Sequence, residues 1–199
     1  DALSASGEIE AAVAAYRKAV ELDAKNVPAQ VGLAYALVAA GKNTEARAVA
    51  QKAVDFDKNS GPAYAALGYA ISAEKNFNGT DPSWTDAIAQ AQQGAFLAPK
   101  DPQVQLVVAK LFEARGNYDQ ATVSYQNALT ADPGFTPARS AIIKAKFLKG
   151  DLDGALLGWL WASVLLNVNR GGRAKPAVLR QVVARLESRP AEFPRLLPL

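Results

Sequence analysis

Cysteine, histidine and methionine are all absent from this chain of 199 residues. Without cysteine there is no disulfide, and no thiolate that could act as a nucleophile or a metal ligand. Without histidine the chain lacks the usual general base and the commonest metal ligand. We therefore expect no catalytic site, no metal site and no bound cofactor. No run of 18 apolar residues occurs either, so the sequence predicts no membrane-spanning helix.

Basic and acidic residues nearly balance, except at one end of the chain. The net charge is +3, and seven of the 22 lysine and arginine residues lie in residues 170–199, against two acidic residues there. A basic end of this kind attracts nucleic acid or an acidic membrane surface. The solvated face of a terminal helix explains the same residues. We favour the solvated face, and we do not expect a nucleic-acid partner.

What the chain has instead is a repeating pattern of small residues. Alanine recurs at gaps of 34, 41, 34 and 34 residues, at Ala12, Ala46, Ala87, Ala121 and Ala155. We call such a set of equivalent positions a register column. A second column contains Gly7, Gly41, Lys75, Gly116 and Gly150, and a third contains Ala19, Ala53, Gly94, Ala128 and Ala162. A period of this size is typical of a solenoid of stacked helix pairs. Such arrays usually present a surface and seldom perform chemistry.

Residues 27–60 show how one repeat is built. Residues 27–40 place apolar side chains at helical spacing, and residues 44–57 form a second amphipathic helix. Between them, Gly41 suits the left-handed backbone conformation that ends a helix. The same order of helix, turn and helix returns in residues 102–133 and 136–168.

This pattern resembles the tetratricopeptide repeat. The matching residues are Leu67-Gly68 followed by Ile71, and then Gly116 through Ala121 followed by Tyr125, Ala128 and Asp132-Pro133. The resemblance implies an all-α solenoid, a right-handed superhelix of antiparallel helix pairs. Ala50 and Ala91 stand where the family often has an aromatic residue. We expect the helices there to pack closer together or less fully.

The repeats divide the chain into one solenoid of about eleven helices. A partial first repeat covers residues 1–26, in which residues 1–6 supply only the end of a first helix before Gly7. We expect that the array either continued in a longer parent protein or lost its first turns. The remaining segments are full repeats at 27–60, 61–101, 102–135 and 136–169, a capping helix at 176–188 and an extended, proline-rich tail at 189–199.

The third repeat carries an insertion of seven residues, within residues 76–83 and between its two helices. Ser83, with Asp86 three residues later, resembles a capping box, which predicts that the second helix restarts at Trp84. Trp84 lies in the same register column as Ile9 and Tyr118. We therefore predict that Trp84 packs in the core.

The resemblance implies that the first helix of each pair lines an inner groove where a partner binds. The candidate partner-binding residues are Val31, Tyr35, Val38, Tyr69, Asn76, Leu106, Lys110, Asn117, Lys144 and Phe147. Tyr35 and Tyr69 share one column, which Lys110 and Lys144 continue, so the groove changes from aromatic to basic. An extended peptide with apolar side chains and an acidic group suits such a groove. Co-chaperone members of the family use a lysine and asparagine set that Val31 and Tyr35 do not reproduce, which disfavours binding of a chaperone tail.

The leading interpretation is a non-enzymatic scaffold for protein–protein interaction. Two alternatives stay open: a positioning array within a larger exported or envelope protein, and the non-catalytic arm of a glycosyltransferase. The sequence is equally compatible with a location in the cytoplasm and with one in a bacterial-type envelope. We expect the tail at 189–199 to pack on an apolar surface, because it carries four large apolar residues. If that surface belongs to another copy, the tail mediates oligomerisation.

Overall fold

The computed structural model describes residues 2–74 and 83–149, and these ranges contain eight α-helices and no strand. The helices are α1 (Ala2–Leu22), α2 (Val27–Ala39), α3 (Asn43–Phe56), α4 (Gly61–Glu74), α5 (Ser83–Leu97), α6 (Pro102–Ala114), α7 (Tyr118–Ala131) and α8 (Thr136–Lys149). The predicted all-α class is confirmed. The insertion, the capping helix and the tail lie outside the described residues.

The chain separates into two compact units, Asp1–Ile142 and Ile143–Leu199. The first unit contains α1 to α7 and the beginning of α8. Within it, consecutive helices pack against each other from α1 to α7. Short connections between helices favour antiparallel neighbours, as in the helix pairs of a solenoid. Among the described residues, no helix has both the length and the hydropathy needed to cross a membrane.

Two glycines end the first helices of their pairs, as the sequence predicts. Gly41 and Gly116 have φ angles of 74° and 78°. After Gly41, the backbone N–H of Lys42 donates to the carbonyl of Leu37 at 2.9 Å. These φ values lie in the left-handed region, which glycine adopts without steric cost. The chain can therefore reverse within a few residues and begin the second helix.

The connections between repeats use one recurring turn. The carboxylates of Asp23, Asp57 and Asp132 each accept a hydrogen bond from the backbone N–H two residues later, at 3.0, 2.9 and 2.8 Å. Aspartate favours such turns because its short side chain reaches the backbone that follows it. A polar side chain then caps the next helix; Asn26, for example, accepts from the backbone N–H of Ala29 at 2.9 Å.

The first repeat differs from the sequence-based expectation. Helix α1 runs without interruption through Gly7, where we expected a turn. The space around Gly7 is open, with nothing within 4 Å of the place where a Cβ would stand. No tertiary contact at Gly7 therefore enforces a turn, and residues 1–6 are too few to pack as a separate helix. Continuing the helix costs only the glycine penalty of about 1 kcal/mol.

Alanines of the repeat register from α3 onwards are buried in the described helices. Ala46, Ala87 and Ala121 are 0% exposed, and Trp84 is 5% exposed, so its predicted core position is confirmed. Helix α5 begins at Ser83, one residue before the predicted start. Helices α4 and α5 also pack closely, as expected beside Ala91. A Cβ built on Gly68 would lie 2.5 Å from the carbonyl oxygen of Ala87.

Candidate functional site

The first helices of successive pairs pack side by side in the first unit. Helix α2 contacts α4, and α4 contacts α6. Between residues 2 and 142, by contrast, the described second helices α3, α5 and α7 make no such contacts with one another. The first helices are therefore closer together than the second helices. We call the free side of α2, α4 and α6 the inner face.

Two tyrosines from neighbouring repeats meet on this inner face. The ring centroids of Tyr35 on α2 and Tyr69 on α4 lie 5.7 Å apart, with the ring planes inclined at 47°. This separation lies within the range of favourable aromatic pairs. Val31 and Tyr35 both pack against the buried cluster around Leu67. Both tyrosines remain partly exposed. The structure thus brings Tyr35 and Tyr69 together, and Val31 packs with Tyr35 against the same cluster.

A carboxylate from a third repeat affects the ionisation of Tyr35. Burial raises the pKa of Tyr35 above its ordinary value, and the negative charge of Asp101 raises this pKa further, followed by a smaller effect of Tyr69. Asp101 is the N-cap of α6, where its Oδ1 accepts from the backbone N–H groups of Gln103 and Val104 at 2.8 and 3.2 Å. The charge of Asp101 at the start of α6 thus reaches Tyr35 on α2.

The other predicted groove residues of the first unit have varied surroundings. Val38 is half-buried against the cluster around Leu37. Leu106 is only 6% exposed and contributes mainly to the core. Lys110 is exposed. Asn117 caps α7: its Oδ1 accepts from the backbone N–H of Gln120 at 3.3 Å, and its Nδ2 donates to the side chain of that residue at 2.7 Å.

Three predicted groove residues fall outside the first unit or outside the described residues. Lys144 is exposed on α8, in the part of that helix that belongs to the second unit. Asn76 and the side chain of Phe147 lie outside the described residues. The predicted change from an aromatic to a basic groove therefore rests, within the first unit, on Tyr35, Tyr69 and Lys110.

A partly buried hydrogen bond engages one further side chain of α6. The hydroxyl of Tyr125 on α7 donates to Oε2 of Glu113 at 2.6 Å. Burial is the largest cause that raises the pKa of Tyr125, and the hydrogen bond to Glu113 and its negative charge add to it. Glu113 is thereby tied to the packing of α6 against α7. No group of three acidic side chains in the described residues is placed to hold a metal ion.

The sequence did not reveal that Asp101 affects Tyr35. A signal for its local role exists: an aspartate directly before Pro102 is typical of a helix start. That signal places the carboxylate at the end of α6 but does not connect it with Tyr35, 66 residues earlier in the chain. Their proximity depends on the angle between successive repeats, which the local sequence does not define.

A pocket lies between the α5–α6 connection and the end of α7. Its volume is about 490 Å³, and its lining residues are Pro99, Lys100, Gln105, Asn127, Thr130 and Ala131. Ala131 holds the register position that Phe56 holds two repeats earlier. The pocket thus lies where the repeat has a small alanine in place of a large phenylalanine. The side chain of Gln105 is already engaged there, donating to the carbonyl of Pro99 at 3.2 Å.

Comparison with known proteins agrees with this architecture. Residues 3–68 match the family model described as tetratricopeptide repeat. No curated protein matches the chain. Among solved structures, MamA is 25% identical, with a TM-score of 0.54, and the match covers 79% of this chain and 88% of that one.

Two further solved structures carry the repeat in their descriptions. TTC0263, a thermophilic TPR protein of Thermus thermophilus, is 20% identical with a TM-score of 0.70, covering 81% of this chain and 84% of that one. YrrB, a TPR protein with an unusual peptide-binding site, is 23% identical with a TM-score of 0.52, covering 81% and 79%. The resemblance to the tetratricopeptide repeat is therefore confirmed, and the fold is that of a TPR solenoid.

Proposed function

We propose that the inner face binds an extended peptide or a segment of a partner protein, and that the chain is a non-enzymatic interaction scaffold. The observation that carries this proposal is the pair formed by Tyr35 and Tyr69, two partly exposed aromatic side chains held side by side. Tyrosine is enriched in protein interfaces and at their energetic centres. Its large, stiff ring supplies contact area at a low cost in side-chain entropy.

The surroundings of the tyrosine pair favour an extended ligand. The pair comes from two neighbouring first helices, and Lys110 extends the same register column onto α6. A segment that crosses all three helices would place apolar groups over the rings and an acidic group near Lys110. YrrB, which shares the fold, is described as having a peptide-binding site. This likeness supports the class of ligand but not its sequence.

A library of acetylated hexapeptides provides the test. We expect the wild-type protein to enrich a subset of the peptides, and a Tyr35→Ala/Tyr69→Ala variant to lose that enrichment. The matched control is a Phe56→Ala/Phe96→Ala variant, which removes two exposed rings, 49% and 79% accessible, at the ends of α3 and α5. This control should bind as the wild type does. Circular dichroism must show that both variants remain helical.

Enrichment that survives in the tyrosine variant would place the binding site elsewhere. The two alternatives from the sequence, a positioning array in a larger exported or envelope protein and the non-catalytic arm of a glycosyltransferase, stay predictions. Neither has a specific feature of the described residues in its favour.

A further inference from the structure

We infer that this protein forms a two-fold dimer in which Phe96 of each copy inserts into the pocket that the other copy forms between Pro99, Lys100 and the end of α7. This inference goes beyond the proposed function, because the contact uses the ends of α5 and α7 rather than the inner face. It names a second copy of this chain as the partner.

An exposed ring and a pocket that can take a ring lie next to each other. Phe96 is near the end of α5, and its side chain is 79% exposed. Pro99, three residues later, lines the pocket, so the two Cα atoms are at most about 11 Å apart. The pocket has a volume of about 490 Å³, whereas roughly 150 Å³ is enough for a benzene ring in an engineered cavity. The pocket is therefore large enough for the ring of Phe96 from another copy.

Both features are departures from the repeat, and they occur together. In α3 the position equivalent to Phe96 is Asp55, and the position equivalent to Ala131 is Phe56. Helix α3 thus has a charge where α5 has the exposed ring, and a ring where α7 has the small residue beside the pocket. Either change alone would leave a ring without a pocket or a pocket without a ring. Their occurrence in adjacent repeats favours a contact that uses both.

The two helices that carry these features have little charge. After their first turns, α5 and α7 contain no charged residue, whereas α3 contains Arg47, Lys52 and Asp55. Among the residues that line the pocket, Lys100 is charged, and Asp101 follows it directly with the opposite charge. The cores of protein interfaces are depleted of charged residues. A neutral surface also suits a second copy, because a two-fold axis brings the same surface of both copies together and like charges there would repel.

The short distance between ring and pocket favours a closed dimer. When a projecting group and its complementary pocket lie on different sides of a molecule, association proceeds head to tail and can continue into fibres. Here the two lie within a few residues of each other, so one two-fold axis can satisfy both insertions at once. Each dimer then buries two phenylalanine rings, and each ring strengthens the association by at least about tenfold.

Sedimentation velocity of the full chain, at concentrations between about 1 and 100 µM, tests the dimer. We expect the wild-type protein to reach twice the mass of one chain as the concentration rises. Phe96→Asp removes both rings from the contact and should weaken the association about 100-fold or more. Ala131→Phe fills the pocket with the ring that α3 carries at this position, and it should have a similar effect. Leu22→Asp is the matched control, since Leu22 at the end of α1 is 81% exposed, and this variant should dimerise as the wild type does.

A mixture of the two variants separates loss of the contact from damage to the fold. The Phe96→Asp chain keeps its pocket and the Ala131→Phe chain keeps its ring, so the mixed dimer regains one of the two insertions. We therefore expect the mixture to associate about tenfold more tightly than either variant alone. A wild-type protein that stays monomeric, or that forms species larger than a dimer, overturns the inference. A dimer that survives Phe96→Asp, or one that Leu22→Asp disrupts equally, overturns it as well. Peptide binding to the inner face is measured separately and does not depend on any of these outcomes.

Discussion

The α4–α5 pair and the α6–α7 pair follow the same register but are packed in opposite ways. At the α4–α5 crossing the residues are the smallest available, with Gly68 facing Ala87 and Ala91. In α7 the position equivalent to Ala91 is Tyr125, 34 residues later, and its side chain is 1% exposed. One pair therefore brings the two helix backbones together, while the other fills the space with an aromatic ring.

Each solution has its own physical requirement. Close approach of α4 and α5 tolerates no added atom, since a Cβ on Gly68 would lie 2.9 Å from the backbone nitrogen of Ala91. A buried tyrosine requires a partner for its hydroxyl, because an unpaired buried polar group is costly. Glu113 meets that requirement for Tyr125. The helices thus recur at the same spacing in the sequence, but the residues that pack them together differ from one pair to the next.

Removing the ring from the α6–α7 pair should have the largest effect. Tyr125→Ala leaves a cavity at a buried position, and we expect the free energy of unfolding to fall by about 3–5 kcal/mol. Tyr16→Ala is the matched control, because Tyr16 holds the same register position but is 40% exposed. Urea unfolding followed by circular dichroism measures both. Equal losses in the two variants would contradict the assigned difference in packing.

Adding a single carbon to the α4–α5 pair should have the next largest effect. Gly68→Ala places a methyl group 2.5 Å from the carbonyl oxygen of Ala87, so the two helices must separate. Overpacking of this kind costs about 1–3 kcal/mol. The same urea experiment tests it, and a variant as stable as the wild type would show that α4 and α5 are not held in backbone contact.

The hydroxyl of Tyr125 contributes less than its ring. Tyr125→Phe leaves the carboxylate of Glu113 without its hydrogen bond, and we expect a loss of about 1–2 kcal/mol at neutral pH. The fold raises the pKa values of Tyr35 and Tyr125, so that these tyrosines stay protonated when their unfolded counterparts ionise. Stability should therefore be insensitive to these groups below about pH 10 and fall as the pH rises further. The fall should be shallower in the variant.

The sequence predicts the features that depend on short-range patterns. The left-handed turns at Gly41 and Gly116 follow from glycine chemistry, and the buried positions of Ala87 and Trp84 follow from the repeat period. It does not predict that Asp101 acts on Tyr35, because that depends on the relative orientation of three repeats. Nor does the sequence predict the burial of Leu106. This residue holds the same register position as Val31, yet its side chain is almost fully buried.

Replacing Gly7 should change the stability least, and in the opposite direction to replacing Gly68. Both glycines lie inside helices, but the space around the Gly7 Cβ position is open, whereas that around Gly68 is filled by α5. Alanine has the higher helix propensity and α1 is continuous through residue 7, so Gly7→Ala should stabilise the protein by about 0.5–1 kcal/mol. If residue 7 instead forms the left-handed turn that the repeat register predicts, alanine would be strained there and the variant would be destabilised. Urea unfolding of Gly7→Ala beside Gly68→Ala distinguishes the two outcomes by the sign of the change.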